Sequence, residues 1–272
     1  MARGRSQSGA GLDREALAAV GGLLTKAKSV LFLTGSGLAA DAGLATYRGI
    51  PGLSRKRPDD GKTFDTALAV DTLIDQPVMT WRYLFEIDAV VRAAVPSTGH
   101  DVLAHLERSL ARTVIVTVNV DRLHQRAGSK NVIEMHGSLH DLLCKRCELS
   151  SRHESFADLP MPPHCVVCKT VLRPDMPLFG EPLPVDPFTR LQAELDQGFD
   201  MVFAIGLGKV TSYLARPVLV AKSEGVPTIE IGSSASELSD VVDFRFRATC
   251  SRVLELIWDA YQRSGRAPGI GG

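Results

Sequence analysis

"SVLFLTGSGLAADAGLATYRG", residues 29–49, decides the fold. An uninterrupted apolar run, Val30 to Leu33, stops at a glycine turn with no polar alternation inside it. Strands that read this way are buried on both faces, and a parallel sheet covered by helices is the arrangement that buries them so. Three further runs share the pattern: "RTVIVTVN" (112–119), "FDMVFAIGLG" (199–208) and "VPTIEIGSS" (226–234). Helical stretches at 98–110, 187–197 and 212–224 stand before the second, third and fourth runs. Residues 13–28 precede the first, carrying Leu17, Val20, Leu23 and Leu24 at helical spacing behind Asp13 as N-cap. Alternating strands and helices predict an α/β fold with a Rossmann-like, doubly wound parallel sheet. Ligands of such sheets bind beyond the carboxyl ends of the strands.

Two insertions interrupt the alternation. Residues 48–97 contain the helical stretch "QPVMTWRYLFEIDAVVRAA", and 141–183 contain "CKRCELSSRHESFADLPMPPHCVVC". Together they predict a smaller lobe, a helical module plus a zinc ribbon, set against a large domain made of 1–47, 98–140 and 184–272. The ribbon rests on two Cys-x-x-Cys knuckles, Cys144/Cys147 and Cys165/Cys168, with 17 residues between them. Each knuckle puts two thiolates on one side of a tight turn, and two knuckles supply the four soft ligands of tetrahedral zinc. Four sulfurs leave no open coordination position, so the expected ion is structural rather than catalytic. Cys250, the fifth cysteine, reads as a buried thiol.

Composition narrows the function. Lys+Arg and Asp+Glu number 31 each among 272 residues, so the basic excess of a protein held by phosphate backbones is missing and no direct nucleic-acid partner is expected. No apolar run reaches the length of a membrane span. Paired knuckles behind an N-terminus with no apolar leader point to a reducing, cytoplasmic setting.

The residues just after each strand are the candidates for chemistry. The first loop offers Gly35, Ser36, Gly37 and Gly43, then Arg48, whose guanidinium suits a phosphate. The second offers Asn119, Asp121 and His124. His136 and His140 follow directly ahead of the first knuckle, where a histidine between two lobes is a candidate base near neutral pH.

Taken in order, Gly-x-Gly…Gly…Arg-Gly, Asn-x-Asp-x-Leu-His-x-x-Ala-Gly (119–128), His136-Gly137, the four cysteines and "RPDMPLFGE" (173–181) resemble the sirtuins, NAD-dependent protein deacylases. The resemblance covers roughly residues 25 to 258. It implies that NAD and an acyl-lysine peptide meet in a cleft between the two lobes. It also implies that His136 is the general base toward the NAD ribose, that Asn119 holds a ribose hydroxyl or water, and that Val120 and Asp121 line the nicotinamide end. Gly35, Ser36, Gly37, Tyr47, Arg48, Gly206 and Gly208 fall at NAD-contacting positions. Met176, Phe179, Gly180 and Glu181 fall where a substrate peptide adds as a strand.

Departures from the family pattern concentrate at NAD. The loop hydroxyl is replaced by Ala39, the glutamine of Thr-Gln-Asn by Val118, and the Thr-Ser pair after the third strand by Leu207 and Gly208. The Tyr-x-x-Arg that greets acidic acyl groups reads Tyr83-Leu84-Phe85-Glu86, which predicts against succinyl-type substrates. Deacylation is therefore the leading expectation. ADP-ribosyl transfer or NAD hydrolysis, and a weakly active binding module, stand as alternatives.

Overall fold

The computed structural model describes residues 12–44 and 63–266. In chain order the elements are α1 (Arg14–Leu24), β1 (Ser29–Thr34), α2 (Ser36–Asp41), α3 (Phe64–Ala67), α4 (Val70–Asp75), α5 (Pro77–Ala93), α6 (Thr98–Ser109), β2 (Arg112–Thr117), α7 (Leu123–Arg126) and β3 (Val132–Glu134). There follow β4 (Ser138–Leu143), β5 (Ser150–Arg152), β6 (Arg173–Asp175), α8 (Val185–Leu195), β7 (Met201–Ile205), α9 (Ser212–Ser223), β8 (Thr228–Ile231), β9 (Phe244–Phe246) and α10 (Cys250–Arg266).

The main sheet has the order β3-β2-β1-β7-β8-β9, and every neighbouring pair is parallel. Counted along the sheet's own strands this is 3-2-1-4-5-6, the doubly wound order with its topological switch between β1 and β7. Successive side chains of a strand point to opposite faces. Val30 and Phe32 therefore join one core with Leu103 of α6, Leu24 of α1 and Ile257 of α10, while Leu31 and Leu33 join another with Leu191 of α8 and Val218 of α9. Both faces are covered, which is why the four runs read as apolar throughout. Asp13 caps α1 as expected, its Oδ1 accepting from the Glu15 and Ala16 N–H groups. Strands β3 and β9 and helix α10 lie outside the sequence expectation; the two strands are three residues each.

A third core serves the smaller lobe. Helix α5 starts with Pro77 in its first turn, where the missing N–H costs nothing. It buries Trp81, Leu84, Ile87 and Val91 along one face. That face packs with Leu142, Cys144, Phe156 and Cys165, so helices α3–α5 and the cysteine-bearing antiparallel sheet β5-β4-β6 share one hydrophobic cluster. Trp81 fixes the join: its ring meets Phe156 edge-on at 5.3 Å and its Nε1–H donates to the Leu172 carbonyl at 2.9 Å. A buried pair, His140 Nε2 to Asp88 Oδ1 at 2.7 Å, ties β4 to α5. No helix among the described residues is long and apolar enough to cross a membrane.

Candidate active site

The loops after β1 and β7 meet at the switch point. The Gly37 N–H donates to the Gly206 carbonyl at 2.9 Å, and a Cβ on Gly37 would lie 2.7 Å from the Gly206 Cα. Gly206 itself has φ +60. Both glycines are thus needed where backbone meets backbone, and neither lines either of the two cavities of the site. Gly35, Ser36 and Gly208 do line one, of about 260 Å³. Among the described residues, a Cβ on Gly208 would meet no atom within 4 Å, so the loop there is open toward the cavity.

The same cavity collects Asn119, Val120, Asp121 and His136 from the ends of β2 and β3. The Asn119 Nδ2 donates to the Gly35 carbonyl at 3.1 Å, which couples the second loop to the first. The Asp121 carboxylate is buried and accepts from the Leu123 N–H at 2.9 Å. Burial pushes its pKa up, against the pull of that N–H and of Arg126. Leu44, Leu207, Lys209 and the α5 residues Ile87, Val90 and Val91 are also among the walls; the strand-end rule points to Leu207 and Lys209, but nothing local marks the α5 residues.

A second cavity, of about 390 Å³, shares Val118, Val120 and His136 with the first. Its other walls include Phe64, Leu68, Met176, Leu178, Phe179 and Gly180, with Glu181 at one side. The Phe179 N–H and carbonyl are both taken, by the Leu68 carbonyl and the Val70 N–H, each at 3.0 Å. At Phe179 the segment is therefore already strand-paired within the chain. Glu181 is also occupied: it pairs with the Arg173 guanidinium and accepts from the Leu178 N–H at 2.8 Å. Burial would raise its pKa, but those partners outweigh it and hold the carboxylate below its usual range. Glu181 pins the loop that forms the cavity wall.

His136 stands where the two cavities join. Its Nε2 lies 2.9 Å from the Tyr213 hydroxyl. Partial burial lowers its pKa and the Val118 backbone opposes that shift, so burial favours the neutral ring, the form that accepts a proton. Tyr213, in the first turn of α9, was not among the sequence candidates, although it follows the third strand-end loop.

Other sequence candidates sit elsewhere. His124 is fully buried behind β1, its Nε2 on the Thr34 hydroxyl at 2.9 Å and its ring 4.9 Å from that of His100. Burial and the neighbouring His100 hold its pKa down at about 3, so it is a core histidine. Tyr83 is buried in the small-lobe core and Glu86 lines neither cavity; α5 offers Ile87, Val90 and Val91 instead. Tyr47 and Arg48 lie outside the described residues.

The four knuckle sulfurs lie within 4.8 Å of one another, with Cys144 to Cys168 at 3.3 Å and Cys147 to Cys165 at 3.5 Å. Zinc–sulfur bonds of about 2.3 Å in a tetrahedron need sulfurs roughly 3.8 Å apart, so this donor set fits the ion. The two knuckles repeat one turn. In each, the first cysteine's carbonyl accepts from the residue four on, Glu148 or Lys169, and its N–H donates to the carbonyl five on, Leu149 or Thr170. Glu148 and Lys169 share a left-handed backbone, φ 58 and 61.

The comparisons agree with this arrangement. The family model described as "Sir2 family" matches residues 35–212. "NAD-dependent protein deacylase 2" of Pseudomonas aeruginosa is 36% identical over 232 residues, covering 84% of this chain and 91% of that protein. "NAD-dependent protein deacylase" of Aquifex aeolicus is 33% identical over 233 residues, covering 85% and 94%. Among solved structures, a Sir2 homolog–NAD complex superposes with a TM-score of 0.80 at 29% identity, covering 95% of this chain and 98% of that one. A Sir2 structure described as holding deacetylated p53 peptide and 3′-O-acetyl ADP-ribose gives 0.75 at 25% identity, covering 89% and 97%. With a switch-point cavity, a histidine at its junction and a four-cysteine ribbon in family order, the chain belongs to the Sir2 family.

Proposed function

We propose that this chain is an NAD-dependent protein lysine deacylase that releases nicotinamide and passes the acyl group of a lysine side chain to ADP-ribose. The observation that carries the reading is the meeting of two cavities at His136, one at the switch point of the sheet and one walled by residues 176–181. The first fits a dinucleotide: it is open at Gly208 and is lined by Ser36, Asn119, Asp121 and the cationic Lys209. NAD, when bound, supplies a ribosyl carbon whose bond to nicotinamide can be broken.

The residues of the chain have separate tasks in this reading. His136 takes the proton of a ribose hydroxyl. Asn119 holds the Gly35 loop against the end of β2, and Asp121 presents a buried carboxylate at the nicotinamide end. Val118, Val120 and Met176 keep the junction apolar, which limits competing water. The cavity of residues 176–181 takes the acyl-lysine of a protein or peptide. Among the described residues lining that cavity there is no lysine or arginine to meet an acidic acyl group, and Glu181 is itself acidic, so neutral acyl chains are preferred. The cysteine ribbon binds structural zinc, closed to substrate by its four sulfurs.

The test is a mass-spectrometric assay with NAD and acetyl-, longer acyl- and succinyl-lysine peptides, following peptide mass and nicotinamide together. Loss of the acyl group matched by nicotinamide, and absent in His136→Ala, is the expected result. Nicotinamide release without deacylation would replace this reading with NAD hydrolysis or ADP-ribosyl transfer.

A further inference from the structure

His136 is engaged by the chain itself: its Nε2 lies 2.9 Å from the Tyr213 hydroxyl, and the Val118 backbone acts on the ring as an acceptor. Val118 is fixed, because its own N–H donates to the Thr34 carbonyl at the end of β1. In the tautomer protonated at Nδ1, Nε2 carries the lone pair and the Tyr213 hydroxyl donates into it. A base in that state takes no proton from a substrate until that side-chain bond breaks. The Tyr213 ring is held by Phe188 of α8, edge-on at 5.1 Å, and lies outside both cavities.

We propose that Tyr213 is a positioning residue for the reaction: its hydroxyl holds the Nε2 lone pair of His136 in the free enzyme and is exchanged for the substrate hydroxyl when the reactants bind. The inference rests on the reading of His136 as the base. A donor aimed at a neutral imidazole favours the neutral form, so Tyr213 keeps the free base unprotonated while costing one hydrogen bond on binding. The other titratable groups lining the two cavities, Asp121, Lys209 and Glu181, keep their places when the hydroxyl alone is removed.

Tyr213→Phe keeps the ring against Phe188 and tests this in two ways. In the ligand-free protein, the His136 Cε1–H resonance, assigned by its loss in His136→Gln, is followed against pH by NMR. The midpoint should rise by about half a pH unit in Tyr213→Phe. In steady-state assays with NAD and acetyl-lysine peptide, kcat/KM above the midpoint should rise about five-fold and its acid limb should move to higher pH, with kcat unchanged. An unchanged NMR midpoint, or a fall in kcat that marks the hydroxyl as a proton relay, would overturn the proposal. The NMR measurement needs no turnover, so a wild-type enzyme without deacylase activity would sink the functional reading and leave this one to be judged by its own titration.

Discussion

The cysteine ribbon and the cleft are built in opposite ways. The ribbon's four ligands come from 25 consecutive residues, in two turns that repeat the same hydrogen bonds and the same left-handed residue. The cleft draws Gly35, Asn119, His136, Phe179 and Gly208 from five separate segments, and each reaches its place only when the sheet has closed. Local spacing therefore dictates the first, and the crossover topology dictates the second. The difference predicts where damage spreads: outward from the ribbon into its lobe, and hardly at all from a cleft side chain into the fold.

The largest effect should come from breaking the ribbon. Cys165→Ser, or a strong chelator, should release zinc measured by mass spectrometry. It should also remove amide-exchange protection from α5 as well as β4, because both share one core. The loss should be on the order of 10 kcal/mol of binding and folding free energy, while β1, β2 and β7 keep their protection. If α5 stays protected, the ribbon and helices are independent units and the comparison fails.

His136→Ala should be the reverse case. Deacylation should fall at least 10³-fold, with a melting temperature within a few degrees of wild type, since the ring is only half buried. Calorimetry beside the peptide assay would check the split, and a collapse of stability would show the base to be part of the core.

Acid should act on the large domain instead. His100 and His124 are held neutral by burial, with pKa values down at about 4 and about 3, and the His100 Nε2 and His124 Nδ1 are buried without a hydrogen-bond partner. An unfolded chain takes up those protons near pH 6.5 and the folded chain does not. Stability should therefore fall as pH drops from about 6.5 toward 4, by roughly 1 kcal/mol per pH unit per histidine. Denaturant melts of wild type and His124→Gln across that range would sharpen this, the variant showing the shallower slope.

The smallest effect belongs to the loop junction. Gly37→Ala should cost about 1–3 kcal/mol, because the added methyl meets the Gly206 Cα, whereas Gly208→Ala should cost little stability and act only on NAD binding. Thermal melts of the pair, with isothermal titration of NAD, would separate the two glycines.

Much of this was legible in the sequence. The four apolar runs became β1, β2, β7 and β8 because both faces of the sheet are covered, and the knuckle spacing led directly to sulfurs within bonding range of one ion. Strands β3 and β9 were not, since three residues carry no period, and they exist because a neighbouring parallel strand offers its edge. Helix α10 was not among the expectations, although Val253, Leu254, Ile257 and Ala260 carry its period and bury it against α1. At the site, His124 stood among the strand-end candidates while His136 was read as the base. The turn through α7, which aims the His124 ring back under Thr34, takes it out of the site. Gly37 and Gly206 stood at cofactor positions, yet their missing side chains make room for each other.

That last contact has a mechanical meaning. Where two loops touch through bare backbone, no rotamer stands between them to absorb a displacement, so the joint is stiff and the loops move as one piece. The nucleotide side of the cleft then behaves as an anvil, and the compliance needed to admit and release reactants falls to the lobe that faces it.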